Sequence, residues 1–264
     1  PLAGAGTLGR LIPPSIIMIV YGVSANVSIA QLFIAGVIPG ILLAALFSGY
    51  IVAWSLANPG KVPAIEERTT FAQKLFASRH LIPVVLLIAV VLGSIYVGIA
   101  TATEAAALGV VGSLAISAAQ GSLGRKTFVD SLMGATRLYC MVALILAGAS
   151  FLTLAMGYIG LPRHLAEWIG ELGLTPFMLV VALTFFYIVL GCFLDGISMV
   201  VLTMGVILPT VEKAGIDLLW FGIFIVLVVE MAQITPPVGF NLFVLQGMTG
   251  KQITWIARNT LPMF

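Results

Sequence analysis

The sequence predicts an all-α integral membrane protein whose helices are interrupted inside the bilayer. Three observations carry this expectation. Hydrophobic residues make up 61% of the 264 and charged residues only 8%, against about 25% charged in soluble domains. Mean hydropathy is +1.17, and apolar stretches of helical length alternate with short charged clusters, unlike the alternating strands of a barrel. Two doubled prolines, Pro13-Pro14 and Pro236-Pro237, fall inside apolar segments. A proline removes a backbone donor and its ring clashes with the carbonyl one turn earlier. In hydrocarbon such a break is tolerated only where protein or a water-filled cavity surrounds the freed groups. Broken segments near both ends of the chain are the sequence pointer to a transporter's binding site.

The elements follow in order. Residues 11–24 form a broken segment ending near Tyr21-Gly22, and residues 31–54 are long enough to cross a core of about 30 Å. Asn58 to His80 is polar, with Lys61, Arg68, Lys74 and Arg79 beside Glu66 and Glu67. Within it Phe71, Leu75 and Phe76 recur at helical spacing and are expected to lie along the interface. Residues 81–119 are interrupted at Gly98 to Glu104 and followed by Arg125 and Lys126. If that stretch turns back on itself, both basic clusters share one face, which the positive-inside rule makes cytoplasmic. Residues 138–157 then cross to a connection with more acids (Arg163, His164, Glu167, Glu171), as the outer face requires. Residues 176–194 and 197–210 are divided by Leu194-Asp195-Gly196, and Glu212, Lys213 and Asp217 form the next loop. Residues 218–249 would span about 48 Å as one helix, so two half-helices separated at Thr235 to Gly239 are expected. Lys251 and Arg258 return to the cytoplasmic face.

The composition narrows the function. A net charge of +2 gives no reason to expect nucleic acid. Cys140 and Cys192 lie in apolar stretches and are read as packing residues; His80 and His164 stand singly and are not read as ligands. No nucleophile-base-acid constellation, metal-ligand cluster or phosphate loop is present, so an enzyme is not expected. No signal peptide is legible, and the apolar patterns at Pro1 and Phe264 are those expected of part of a larger membrane protein.

Asp195 is the most informative acid. A carboxylate between two apolar runs must face a cavity, a cation or a partner, unless Asp-Gly simply marks a turn at the interface. Thr101 to Ala107 (Thr-Ala-Thr-Glu-Ala-Ala-Ala) is a good helix start, able to face an anion or lend oxygens to a cation, or to act only as a surface cap. Glu230, Gln233, Thr235 and Asn241 place polar groups around the second proline pair. The carbonyls freed there, and the exposed backbone of Gly4, Gly6 and Gly9 before Pro13-Pro14-Ser15, are hard oxygen ligands of the kind an alkali cation prefers. Ile12-Pro13-Pro14-Ser15-Ile16 and Ile234-Thr235-Pro236-Pro237-Val238 are locally alike, which hints at an internal repeat.

Five segments give these features a family. Gly6-Thr7-Leu8-Gly9-Arg10-Leu11-Ile12-Pro13-Pro14-Ser15-Ile16 followed by Gln31 to Gly40, Thr101 to Gly109, Phe193-Leu194-Asp195-Gly196 and Thr235 to Asn241 resemble, in order, the large membrane subunit of tripartite ATP-independent periplasmic (TRAP) transporters. Arg10 departs from the apolar residue expected at its position. The resemblance implies an elevator-type secondary transporter with inverted repeats, re-entrant hairpins and broken helices in a bacterial inner membrane. Residues 1–30 would end the first repeat, 31–80 would hold a spanning helix and interfacial connection, 81–127 the second re-entrant hairpin, and 128–264 the remaining spans with the second broken helix.

The implied activity is sodium-coupled import of an organic acid, of the C4-dicarboxylate or sialic acid type, delivered by a periplasmic substrate-binding protein. A small TRAP membrane subunit, separate or fused, would brace the scaffold. Na+ is the coupling ion, and no organic cofactor is implied. Carried over by motif, the sodium-binding candidates are Gly6, Gly9, Pro14, Ser15, Thr101, Thr103, Asp195, Thr235 and Gly239, and the substrate-binding candidates are Ser15, Thr103 and Asn241. An ABC-type permease subunit is the alternative, because Glu104-Ala105-Ala106 with Gly109 is similar to its ATPase-docking loop; there the glycine arrives one residue early. An ion channel is the other.

Overall fold

The computed structural model describes residues 8, 9, 11–61, 73, 78–235 and 240–260. Its backbone contacts divide it into two compact units, Pro1–Tyr50 with Cys140–Phe264, and Ile51–Tyr139. No strand occurs among the described residues.

In the first unit the chain is helical at Leu8, Gly9 and Leu11, then bends over Ile12–Pro14. Helix α1 (Ile16–Ala25) starts behind that bend because Ser15 caps it, its hydroxyl accepting the Met18 N–H at 3.3 Å. The helix stops at Asn26, one of the few residues besides glycine that tolerates the left-handed backbone found there (φ 52°). Helix α2 (Ile29–Ala57) carries Pro39 within it and lies close to the bend. A Cβ at Gly36 would stand 2.6 Å from Met18 Cε and 3.2 Å from the Leu11 carbonyl, so a larger residue there would have to displace the Met18 side chain.

The rest of this unit is a sequence of capped helices. Helix α5 (Arg125–Ile159), whose first part belongs to the second unit, leads through Gly160 to the amphipathic α6 (Leu161–Glu171). On α6 the Arg163 guanidinium donates to Glu167 at 2.9 Å and holds that carboxyl below its usual range. Helix α7 (Pro176–Gly191) begins with Thr175 as cap and proline in its first turn, the position where the missing donor costs nothing. Helices α8 (Gly196–Lys213) and α9 (Leu218–Gln233) are capped by Asp195 and Asp217. Helices α10 (Phe240–Thr249) and α11 (Ile253–Thr260) pack on one another through Leu242, Ile256 and Ala257.

The core lies where α8 and α9 meet α1 and α7. Met18, Tyr21, Met199, Val200, Phe221, Ile225 and Val229 are all buried there. Tyr21 donates its hydroxyl to the Leu218 carbonyl at 2.6 Å, which ties the C-terminal half of α1 to the first turn of α9. Helices α7 and α9 touch backbone to backbone at Gly191, where a Cβ would collide with Ala232 Cβ and stand 3.1 Å from its Cα.

The second unit contains a helical hairpin, α3 (Ile82–Tyr96) and α4 (Ala102–Ala119), packed side by side. The turn at its tip uses Gly98 at φ 76°, a conformation that strains any side chain-bearing residue. This is the interruption expected at Gly98 to Glu104. Helices α2, α4, α5 and α8 are long and apolar enough to cross a membrane, and α1, α3, α7 and α9 are shorter apolar helices. The fold class is therefore that of an all-α membrane protein.

Two elements differ from the sequence reading. The span expected at 138–157 is the latter part of a 35-residue helix beginning at Arg125. Its first turns are too polar to count as span, yet they hold no proline and a single glycine, Gly134, and a helix once begun propagates cheaply. The connection at 163–171 is itself helical, because Leu161, Leu165, Trp168 and Ile169 recur on one face. The interfacial piece expected around Phe71, Leu75 and Phe76 lies outside the described residues.

Candidate functional site

Three helices begin on side-chain caps drawn from the candidate residues. Ser15, only 1% exposed, starts α1. The Asp195 carboxylate starts α8, with Oδ2 accepting the N–H groups of Ile197 (3.1 Å) and Ser198 (3.2 Å). Thr101 starts α4 in the second unit within a full capping box: Thr101 accepts from the Glu104 N–H, and the Glu104 carboxylate accepts the Thr101 N–H at 2.8 Å. Each such end presents unpaired backbone donors and the positive pole of its helix.

In the first unit two of these starts converge on the C-terminal end of α9. A Cβ at Gly196 would collide with the Gln233 side-chain amide, lie 2.8 Å from Val229 Cγ1 and 3.2 Å from Ile17 Cδ1. The first turns of α1 and α8 thus abut the last turns of α9. The Tyr21–Leu218 bond sets α1 and α9 antiparallel, so the bend before α1 and the C-terminal end of α9 lie at the same end. Two positive helix ends and the negative end of α9 meet there, with Ser15, Asp195, Gln233 and Thr235 around them. Thr235 is half-buried and donates its hydroxyl to the Met231 carbonyl at 2.9 Å. The chain resumes as α10 at Phe240, and the buried amide nitrogen of Asn241 makes no hydrogen bond among the described residues.

The other candidates are placed as follows. Gly9 and Pro14 are exposed. Thr101 and Thr103 are exposed at the tip of the second unit's hairpin. Gly6 and Gly239, with Pro236 and Pro237, lie outside the described residues. The flanks of both proline pairs are interrupted: α1 begins at Ile16 after the first pair, and α9 stops at Gln233 before the second.

Two of the polar residues named around the second proline pair, though not among the binding candidates, are buried on the helix that ends at the site. Glu230 (3% exposed) and Gln233 (2%) are buried on α9. The signal that finds them is their i, i+3 spacing on one face of an otherwise apolar helix. Sequence alone does not show that this face turns toward α8. The available donors here are hydroxyls, amides, carbonyls and carboxylates, a hard oxygen set suited to an alkali cation rather than a transition metal.

Comparisons with known proteins give the family. A family profile described as "DctM: Tripartite ATP-independent periplasmic transporter, DctM component" matches residues 2–264. The chain is 34% identical over 99% of its length to the C4-dicarboxylate TRAP transporter large permease protein DctM of Pseudomonas aeruginosa, covering 61% of that protein. It is 32% identical over 99% of its length to the isethionate TRAP transporter permease protein DctMQ of Oleidesulfovibrio alaskensis, covering 41% of it. To the sialic acid TRAP transporter permease protein SiaT of Haemophilus influenzae it is 29% identical over 98%, covering 42%. The chain thus spans about three fifths of the DctM relative, or less of the longer ones. It belongs to the DctM component family of TRAP transporters, multi-pass permeases of the bacterial inner membrane and not enzymes.

Proposed function

We infer that the chain is part of a sodium-coupled secondary importer of an organic acid. The observation that carries this reading is the convergence of α1, α8 and α9. The positive ends of α1 and α8 favour an anionic group, and the negative end of α9 favours a cation. One small volume therefore suits both a substrate carboxylate and Na+, each lowering the cost of the other. Ser15 and Asn241 are the nearest candidates for the substrate, and Asp195, Thr235 and the freed proline carbonyls for sodium.

By motif, Thr101, Thr103, Gly6, Gly9, Pro14 and Gly239 are the further sodium candidates of the transporter, and Thr103 a further candidate for the substrate. Sliding of this assembly past a fixed scaffold, elevator fashion, would expose it alternately to the two sides. A periplasmic binding protein would deliver substrate, and a small membrane subunit, fused in relatives such as DctMQ, would brace the scaffold. The relatives' names include C4-dicarboxylates, isethionate, ectoine and sialic acid; all carry a carboxylate or sulfonate, which matches two helix N-termini.

The test uses the full-length permease with its partners in proteoliposomes, screening those four substrate classes with and without an inward sodium gradient. Asp195→Ala and Thr103→Val are each expected to lower sodium-driven uptake at least ten-fold, about 1.4 kcal/mol of coupling. Uptake that keeps its full sodium dependence in both variants would remove these residues from the site. Uptake driven by ATP, or a sodium current without substrate, would replace the reading with a pump subunit or a channel.

A further inference from the structure

An apolar groove of about 450 Å³ runs between α6, α7 and α8, away from the transport site. Leu165 and Trp168 of α6, Leu179 and Phe186 of α7, and Ile207 and Thr210 of α8 line it. Beside it, around the start of α6 and the end of α8, a recess of about 410 Å³ is lined by Arg163, Glu167 and Lys213. On α8, Leu202, Val206, Thr210 and Lys213 follow one another at three- and four-residue intervals, so the wall of the groove leads one turn on to the ammonium group. Thr210 is 5% exposed, and its hydroxyl has no hydrogen-bond partner among the described residues. A buried hydroxyl without a partner is uncommon enough to require an explanation.

We propose that the groove is a phospholipid site, with one acyl chain along α6, α7 and α8, a glycerol ester at the Thr210 hydroxyl and an anionic phosphate at Lys213. The distribution of chemistry is that of an amphiphile: carbon along the length, one hydroxyl near the end, and charge beyond it. Thr210 and Lys213 are one turn apart, about 5 Å, which suits the separation between the ester and phosphate of one lipid. Thr210 lines the groove, and threonine takes two χ1 rotamers in a helix, which gives its hydroxyl two directions. Among the charged groups, Arg163 and Glu167 neutralise each other. Lys213, which also donates to the Ala166 carbonyl at 3.4 Å, leaves the recess positive; Glu212 stands about 100° round the helix from it. The bound lipid would fasten the amphipathic α6 to the two spans beside it.

The test uses full-length permease in nanodiscs with Trp168 as the sole tryptophan, the others replaced by Phe. A phosphatidylglycerol with brominated acyl chains is added at low mole fraction to unbrominated phosphatidylcholine. Quenching of Trp168 is expected to exceed the mole-fraction value, and Lys213→Gln to weaken that preference about five-fold, the worth of one interfacial basic group. Thr210→Val is expected to weaken it further. Brominated phosphatidylcholine should quench only in proportion to its amount. Equal quenching by the two lipids, meaning bulk contact alone, overturns the proposal, and so does an absence of quenching, meaning that protein fills the groove. If the single-tryptophan form fails to fold, native mass spectrometry of the otherwise unaltered permease replaces it. Retained anionic lipid that falls in Lys213→Gln supports the site, and equal retention overturns it.

Discussion

At the scale of single residues, Asp195 shows how a structural role and a functional one are separated. Its carboxylate caps α8 through two backbone N–H groups, which is the turn-forming role that Asp-Gly favours. Its charge at the meeting point of three helix ends is the property that a cation would use. Asparagine caps a helix about as well as aspartate, whereas alanine costs about 1 kcal/mol. Asp195→Asn is therefore expected to keep thermal stability within a few tenths of a kcal/mol while losing sodium-driven uptake. Asp195→Ala should lose both. An Asn variant that transports normally would leave Asp195 a cap and nothing more. Thr103 offers the complementary case. It is exposed at the start of α4 and the cap there is Thr101, so Thr103→Val should leave stability unchanged and act on uptake alone. Far-UV dichroism and melting in detergent check this.

At the scale of elements, helix pairs differ in how closely their backbones approach. At Gly191 a methyl group would meet Ala232 Cβ, with that residue's Cα and carbonyl carbon close behind. Backbone cannot step aside, so Gly191→Ala is expected to destabilise by about 1–3 kcal/mol, the range for overpacking a well-packed contact. At Gly112 in the α3–α4 hairpin the obstruction is the end of the Leu87 side chain, which turns to another rotamer. Gly112→Ala should therefore be neutral, or stabilising by up to about 1 kcal/mol through helix propensity. Thermal unfolding of the two variants side by side tests the distinction, and a reversed order would show that the contact at α7–α9 is looser than described. The same reasoning explains why α6 was read as a connection: its apolar stripe is short and becomes meaningful only where α8 lies beneath it.

At the scale of the whole molecule, charge predicts how the chain sits in the bilayer. By the positive-inside rule the basic residues around Lys61 to Arg79 and Arg125-Lys126 are expected on the cytoplasmic face, and the more acidic 163–171 segment on the opposite one. With cysteines placed in a cysteine-free full-length background, Ser122→Cys should be protected from a membrane-impermeant maleimide in intact cells, and Glu171→Cys labelled. Both positions are exposed, so labelling reports sidedness and not burial. The opposite result would invert the topology and place α6, with its proposed lipid, in the other leaflet. Sodium should also act on the molecule as a whole. An ion bound only by the folded state stabilises it by about 2.7 kcal/mol at a hundred times its Kd. Na+, and not K+, is therefore expected to raise the melting temperature of the full-length permease, and Asp195→Asn to abolish the rise.

The sequence by itself determined the solvent of this protein, its helical class and the places where helices stop. Hydropathy and proline stereochemistry are local properties, and Pro13-Pro14, the 98–104 interruption, Asp195 and Thr235 could be read from neighbours a few positions away. The family was legible for the same reason, since its motifs are those same breaks. Tertiary structure alone decided which helix ends meet. No property of residues 15–17 announces that they adjoin Gly196 and Gln233, because that juxtaposition comes from the antiparallel packing of α1 on α9 and from a glycine that lets α8 come close. The burial of Glu230 and Gln233 and the unpartnered hydroxyl of Thr210 arise in the same way: a polar side chain in an apolar run acquires its meaning only from the surface that packs against it.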